Sequence, residues 1–184
     1  MPRLFVAIDL PDQVKDVLAP LSHELPGARV VPPEQLHLTL RFIGEVGHQT
    51  FAAIKTALAG LSFQSFPLAL CGVGHFPPGK RPRVLWVGMD PSETLIQLQQ
   101  DLELALLDVG LPTEERRFSP HITIARLKET DPAAVSSFEV LHRDMACATF
   151  EVREVILYSS VLTNHGAIHN REAEIRCQDA SAAS

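Results

Sequence analysis

Apolar and polar residues alternate with period two in several stretches of the chain and recur every three or four residues in others. Strand side chains point to opposite faces in turn, whereas a helix returns to the same face after three or four residues, so the two spacings mark different elements. Arg3 to Leu10 reads as a largely buried strand. It is followed by Asp9-Leu10-Pro11-Asp12, which offers a cap and a proline where a helix begins. That helix is placed over Asp12 to Glu24, with Pro20 kinking or stopping it late. Gln35 to Glu45 alternates as a second strand, and Phe51, Ile54, Leu58 and Leu61 place a second helix over Gln49 to Leu61.

Leu68 to Phe76 and Arg83 to Asp90 read as two strands around the loop Pro77-Pro78-Gly79-Lys80-Arg81-Pro82. Leu95, Leu98, Leu102 and Leu106 mark the clearest helix, Ser92 to Val109, which ends before Gly110 and Pro112. Ser119 to Leu127 alternates again, Asp131 to Phe138 has room for a short helix, and Ala148 to Leu162 and Ala167 to Cys177 close the chain as strands. The tail from Asp179 to Ser184 is expected to fray. Strand, helix and a histidine-bearing strand in the first half are echoed by helix and histidine-bearing strand in the second. This echo suggests an internal duplication and predicts an α+β fold, one bilobal domain over residues 1–184. Its two pseudo-symmetric, antiparallel-rich sheets would face a central cleft, with helices on the outer sides.

Composition narrows the picture. The net charge of −6 does not suit a protein that tracks a long phosphate backbone, so any nucleic-acid contact must be local. Basic residues do cluster at Lys80, Arg81 and Arg83, and again at Arg116 and Arg117 with Arg126 nearby. No apolar run approaches the roughly 18 to 20 residues that span a bilayer. Cys71, Cys147 and Cys177 are widely spaced and without a C-x-x-C pair, which points to neither disulfides nor a cysteine zinc site, and to a cytoplasmic location.

The chemistry lies in a repeated four-residue pattern, His37-Leu38-Thr39-Leu40 and His121-Ile122-Thr123-Ile124. On a strand, each copy presents His and Thr on one face and anchors its two apolar residues on the other. One copy would ordinarily be structural; two in corresponding halves point to a shared pocket of two imidazoles and two hydroxyls. Such a pocket suits phosphodiester cleavage, with one histidine taking a proton from the attacking oxygen and the other protonating the leaving oxygen. An ordinary imidazole titrates near ~6.5, so both forms coexist around neutrality. The hydroxyls can donate to the phosphate oxygens, and neither metal nor cofactor is required.

These motifs, with Arg3 to Pro11, Phe42-Ile43-Gly44-Glu45, Pro82 to Gly88 and Ser119 to Arg126, resemble the two-histidine phosphoesterases. The chain is most similar to the bacterial and archaeal RNA 2′,3′-cyclic phosphodiesterases, also called 2′-5′ RNA ligases. The resemblance implies a partner that is an RNA end carrying a 2′,3′-cyclic phosphate, tRNA fragments among the candidates, and a 2′-phosphate product; the sequence itself points to no membrane and to no obligate protein partner. The resemblance casts His37 as the acid for the 3′-oxygen, His121 as the base for water, and Thr39, Thr123 and Arg126 as phosphate ligands. Minor ATP-independent 2′-5′ joining of RNA ends would follow from the same pocket. A binding module that holds an RNA end or nucleotide without turnover is the alternative.

Strict alternation sets Arg126 on the face opposite His121, so its role needs a bulge. It sets Arg41 with His37, at the rim, and Phe42 with the core, leaving Phe76 as the candidate for base stacking. His23, His48, His75 and His142 read as surface residues. His165 and His169 lack the ligand cluster of a metal site.

Overall fold

The structure is a computed structural model that describes residues 3–147, 149–164 and 166–178; Met1, Pro2, Ala148, His165 and the tail 179–184 lie outside the described residues. Strand β1 (Arg3–Asp9) leads to helix α1 (Asp12–Ser22), which ends two residues after Pro20. The two-residue strand β2 (Arg29–Val30) and a 3₁₀ turn at Pro33–Gln35 precede β3 (His37–Glu45) and α2 (His48–Ala59). Next come β4 (Phe66–Leu68), β5 (Leu70–Phe76), β6 (Val84–Met89) and α3 (Glu93–Asp108). The Ser92 side chain caps α3 by accepting from the Leu95 amide. The chain finishes with β7 (Ile122–Arg126), α4 (Pro132–Leu141), β8 (Phe150–Val152), β9 (Glu154–Thr163) and β10 (Gly166–Arg176). The sequence pattern missed β2 and β4, both too short to show a period, and merged β8 with β9 across Arg153.

The strands pair antiparallel in the order β10-β9-β1-β3-β7-β6-β5, with β2 alongside β7, while β4 and β8 form a separate pair. The halves expected as two separate sheets are thus hydrogen-bonded into one path. They join at β3 and β7 through a single register pair, Leu38 and Ile122, the first apolar residue of each motif. Both are fully buried. The joint therefore sets the two histidine motifs side by side at the centre of the sheet.

Leu38, Leu40, Ile122 and Ile124 share one core with Leu4, Val6 and Ile8 of β1. The helices α1 to α4 feed it, through Leu18, Ile54 and Leu58, Leu98 and Leu102, and Val135 and Phe138. Burying one such side chain contributes about 1.5 to 3 kcal/mol, so each motif's apolar half anchors its polar half. A second, small cluster of Phe5, Ala7, Ile156 and Tyr158 covers part of the opposite face, where the histidines lie.

Candidate active site

His37 opens β3, and His121 stands one residue before β7. Each ring is fixed in the same way. His37 Nδ1 donates to the Gln35 carbonyl at 2.7 Å, and His121 Nδ1 donates to the Ser119 carbonyl at 2.7 Å, two residues upstream in both cases. A carbonyl can only accept, so Nδ1 carries the proton and Nε2 is left available for proton transfer.

An aromatic ring backs each imidazole. Phe5 lies 5.0 Å from His37, with Tyr158 behind it at 6.4 Å, and Phe76 lies 4.9 Å from His121, with Trp86 behind it at 6.5 Å. Gly74 makes the second arrangement possible: a Cβ there would stand 2.3 Å from the Trp86 ring. Burial pushes the pKa of His37 down to about 4, outweighing the Gln35 bond and the Asp9 carboxylate, which raise it.

Two β-bulges decide what else reaches the site. Along β1, Val6 faces Arg41 and Ala7 faces Thr39, so Leu40 is an extra residue in β3. Along β6, Leu85 faces Ala125 and Trp86 faces Thr123, so Ile124 is an extra residue in β7. Both bulges fall on the fourth residue of the motif. Beyond each one the alternation is reversed, and the residue five positions after the histidine comes back to the histidine's face. That residue is Arg126 in one copy and Phe42 in the other.

A cavity of about 850 Å³ is accordingly lined by His37, Thr39 and Phe42 together with His121, Thr123 and Arg126. A second, of about 900 Å³, shares Thr39, His121 and Arg126 with the first and continues past Phe76. Phe42 is no core residue, being 53% exposed, because the bulge turns it outward. Arg41 does not sit beside His37. It is 8% exposed and held by Glu103 and Glu114 at 3.5 and 3.1 Å and by the Pro112 carbonyl. Phe76 packs edge-on against His121 and borders the second cavity.

Two histidines read as surface residues are bonded. His142 meets Glu24 at 2.7 Å, and His75 meets both Glu139 and the Gly79 carbonyl. His169 lines the first cavity, its ring 5.7 Å from His37, with Nδ1 buried and unbonded among the described residues. Burial lowers its pKa. Sequence reasoning missed His169 because β10 reaches the site only through pairing with β9. It missed Phe42 although a signal was present: Phe42 and Arg126 hold the same offset from their histidines, so a bulge that brings in one brings in the other.

The fold and this paired site define a duplicated two-histidine protein, and comparison with known proteins gives it a family. The family model for the 2′-5′ RNA ligase superfamily matches residues 10–164, and the chain belongs to that superfamily. It is 35% identical over 170 residues to the RNA 2′,3′-cyclic phosphodiesterase of Archaeoglobus fulgidus, covering 91% of this chain and 96% of the relative. It is also 35% identical over 175 residues to the protein of that name from Thermotoga maritima, covering 91% of each. Among solved structures, E. coli LigT complexed with 3′-AMP superposes with a TM-score of 0.79 at 28% identity, over 97% of this chain and all of the other.

Proposed function

We propose that this protein hydrolyses the 2′,3′-cyclic phosphate at an RNA end to a 2′-phosphomonoester, with His37 and His121 as its proton-transfer groups. The observation that carries the reading is the matched pair of imidazoles, each with its Nδ1 proton fixed on a backbone carbonyl, on one cavity with Thr39, Thr123 and Arg126. Family membership and the relatives' activity support it.

In this mechanism His121 Nε2 takes a proton from water as its oxygen bonds to phosphorus. The bond from phosphorus to the 3′-oxygen breaks, and His37 Nε2 delivers a proton to that oxygen. The Thr39 and Thr123 hydroxyls and the Arg126 guanidinium hold the non-bridging oxygens as negative charge builds on them. Phe42, exposed on the wall beside His37, offers a stacking surface to the terminal base, a better-placed one than Phe76, whose ring supports His121. The cleft between the halves is the groove in which the RNA end lies. A 5′-hydroxyl in place of water would give 2′-5′ joining without ATP, as a minor reaction, because only a positioned nucleophile competes with bulk water.

Substitution of the two histidines tests the reading. His37→Ala and His121→Ala should each lower turnover by about 10² to 10⁴-fold while keeping the wild-type circular dichroism and melting behaviour. Wild-type turnover in either folded variant would remove the proposal's basis.

A further inference from the structure

The second cavity holds more positive charge than a terminal phosphate needs. Arg83, Arg116, Arg117 and Lys128 line it in addition to Arg126, and all are exposed. Among the described residues none of these five forms an ion pair with a carboxylate; Arg29, Lys80, Arg81, Arg143 and Arg153 are also without one, but they are not on this lining, while Arg3, Lys15, Arg41, Lys55, Arg171 and Arg176 are paired. The one carboxylate on the lining, Glu114, is already paired with Arg41. In a chain of net charge −6, unpaired cations gathered around one hollow are a local feature and not a consequence of composition. Phe76 and Phe118 stand among them. Cations interleaved with aromatic rings are the chemistry that holds single-stranded nucleic acid.

The hollow is also in the right place. It opens from Thr39, His121 and Arg126, so a strand whose terminal phosphate lies on those residues can continue into it. The first cavity, with Phe42 and His37, already has the size and lining for one nucleotide, which leaves the second without an occupant.

We propose that the hollow bordered by Arg83, Arg116, Arg117 and Lys128 is a subsite for the RNA strand preceding the terminal nucleotide, gripping its phosphates and making oligonucleotide ends better ligands than mononucleotides. This rests on the proposed function for the identity of the terminal group, but its test needs no turnover.

The binding of a single-stranded oligoribonucleotide ending in a 2′-phosphate, and of 2′-AMP, is measured against salt for the wild type and for the double variant Arg116→Gln with Arg117→Gln. Each single-strand phosphate contact contributes about 0.7 to the slope of log affinity against log salt, so the double variant should flatten the oligonucleotide slope by about 1.4. Oligonucleotide affinity at low salt should drop about tenfold or more relative to that of 2′-AMP. An unchanged slope, or an equal loss for both ligands in a variant with wild-type melting, would overturn the subsite. Failure of the wild type to hydrolyse a cyclic phosphate would instead strike the proposed function and leave this measurement readable.

Discussion

At the scale of single residues, the two imidazoles share a hydrogen-bonding pattern but not an environment. Burial favours neutral His37 until the pH falls to about 4, so in the empty site its Nε2 carries no proton to donate. A phosphodiester anion entering the cavity works against that desolvation and raises the His37 pKa. Substrate binding and proton uptake should therefore be coupled. The acid limb of kcat/KM, which reports the free protein, should fall near pH 4, and the limb of kcat, which reports the complex, should lie higher. Both apparent values belong to the pair of histidines. Coincident acid limbs near 6.5 in the two profiles would show that burial does not govern His37. That His37 and His121 share one cavity with Thr39 and Thr123 was legible from sequence, because a repeated alternating tetrapeptide specifies which side chains share a face. Phe42, Arg41 and His169 were not, because bulges and pairing between distant strands decide where those side chains go.

At the scale of elements, most strands and helices with a clear period lie within a residue or two of where the pattern placed them, as with α3 and its row of buried leucines, whereas β7 begins three residues after Ser119 and α4 runs three residues past Phe138. What the pattern could not supply is the packing behind His121, where β5 must pass close beneath Trp86. Gly74→Ala would put a methyl group into the indole and displace the stack of Trp86, Phe76 and His121. Small displacements of a catalytic group can cost about 10²-fold, so turnover should drop by about tenfold or more. The emission of Trp86, the chain's one tryptophan, should shift with it. Unchanged emission and unchanged turnover would show that this support is dispensable.

The proline loop that borders the second cavity is held by His75, whose two ring nitrogens face the Glu139 carboxylate and the Gly79 carbonyl. Both partners accept, which calls for the doubly protonated ring, and the bond to Glu139 raises its pKa. A raised folded-state pKa contributes stability that is fully present below the unfolded value and is lost as pH rises through the folded one. The melting temperature of His75→Gln should therefore fall short of the wild type most at pH 5 to 6, and the gap should narrow at alkaline pH. A gap that widens with pH would show that the ring is held neutral.

At the scale of the whole molecule, the duplication read from the sequence is carried further than the tetrapeptides. The Nδ1 bond two residues upstream, the backing ring, the bulge on the fourth residue and the inward residue at the fifth position onward all occur twice. The sequence did not show that the halves share one sheet, because a single pair, Leu38 and Ile122, makes the joint, and no local pattern encodes it. That joint places His37 and His121 on one cavity, and the central claim is that, as the proposed proton-transfer groups, they suffice for the reaction. The most direct test is incubation of an RNA ending in a 2′,3′-cyclic phosphate with the purified protein under exhaustive chelation, followed by location of the phosphate by nuclear magnetic resonance. A 2′-phosphate formed at an undiminished rate is the predicted result; a 3′-phosphate, or activity that vanishes with chelator and returns with one divalent ion, would contradict the account.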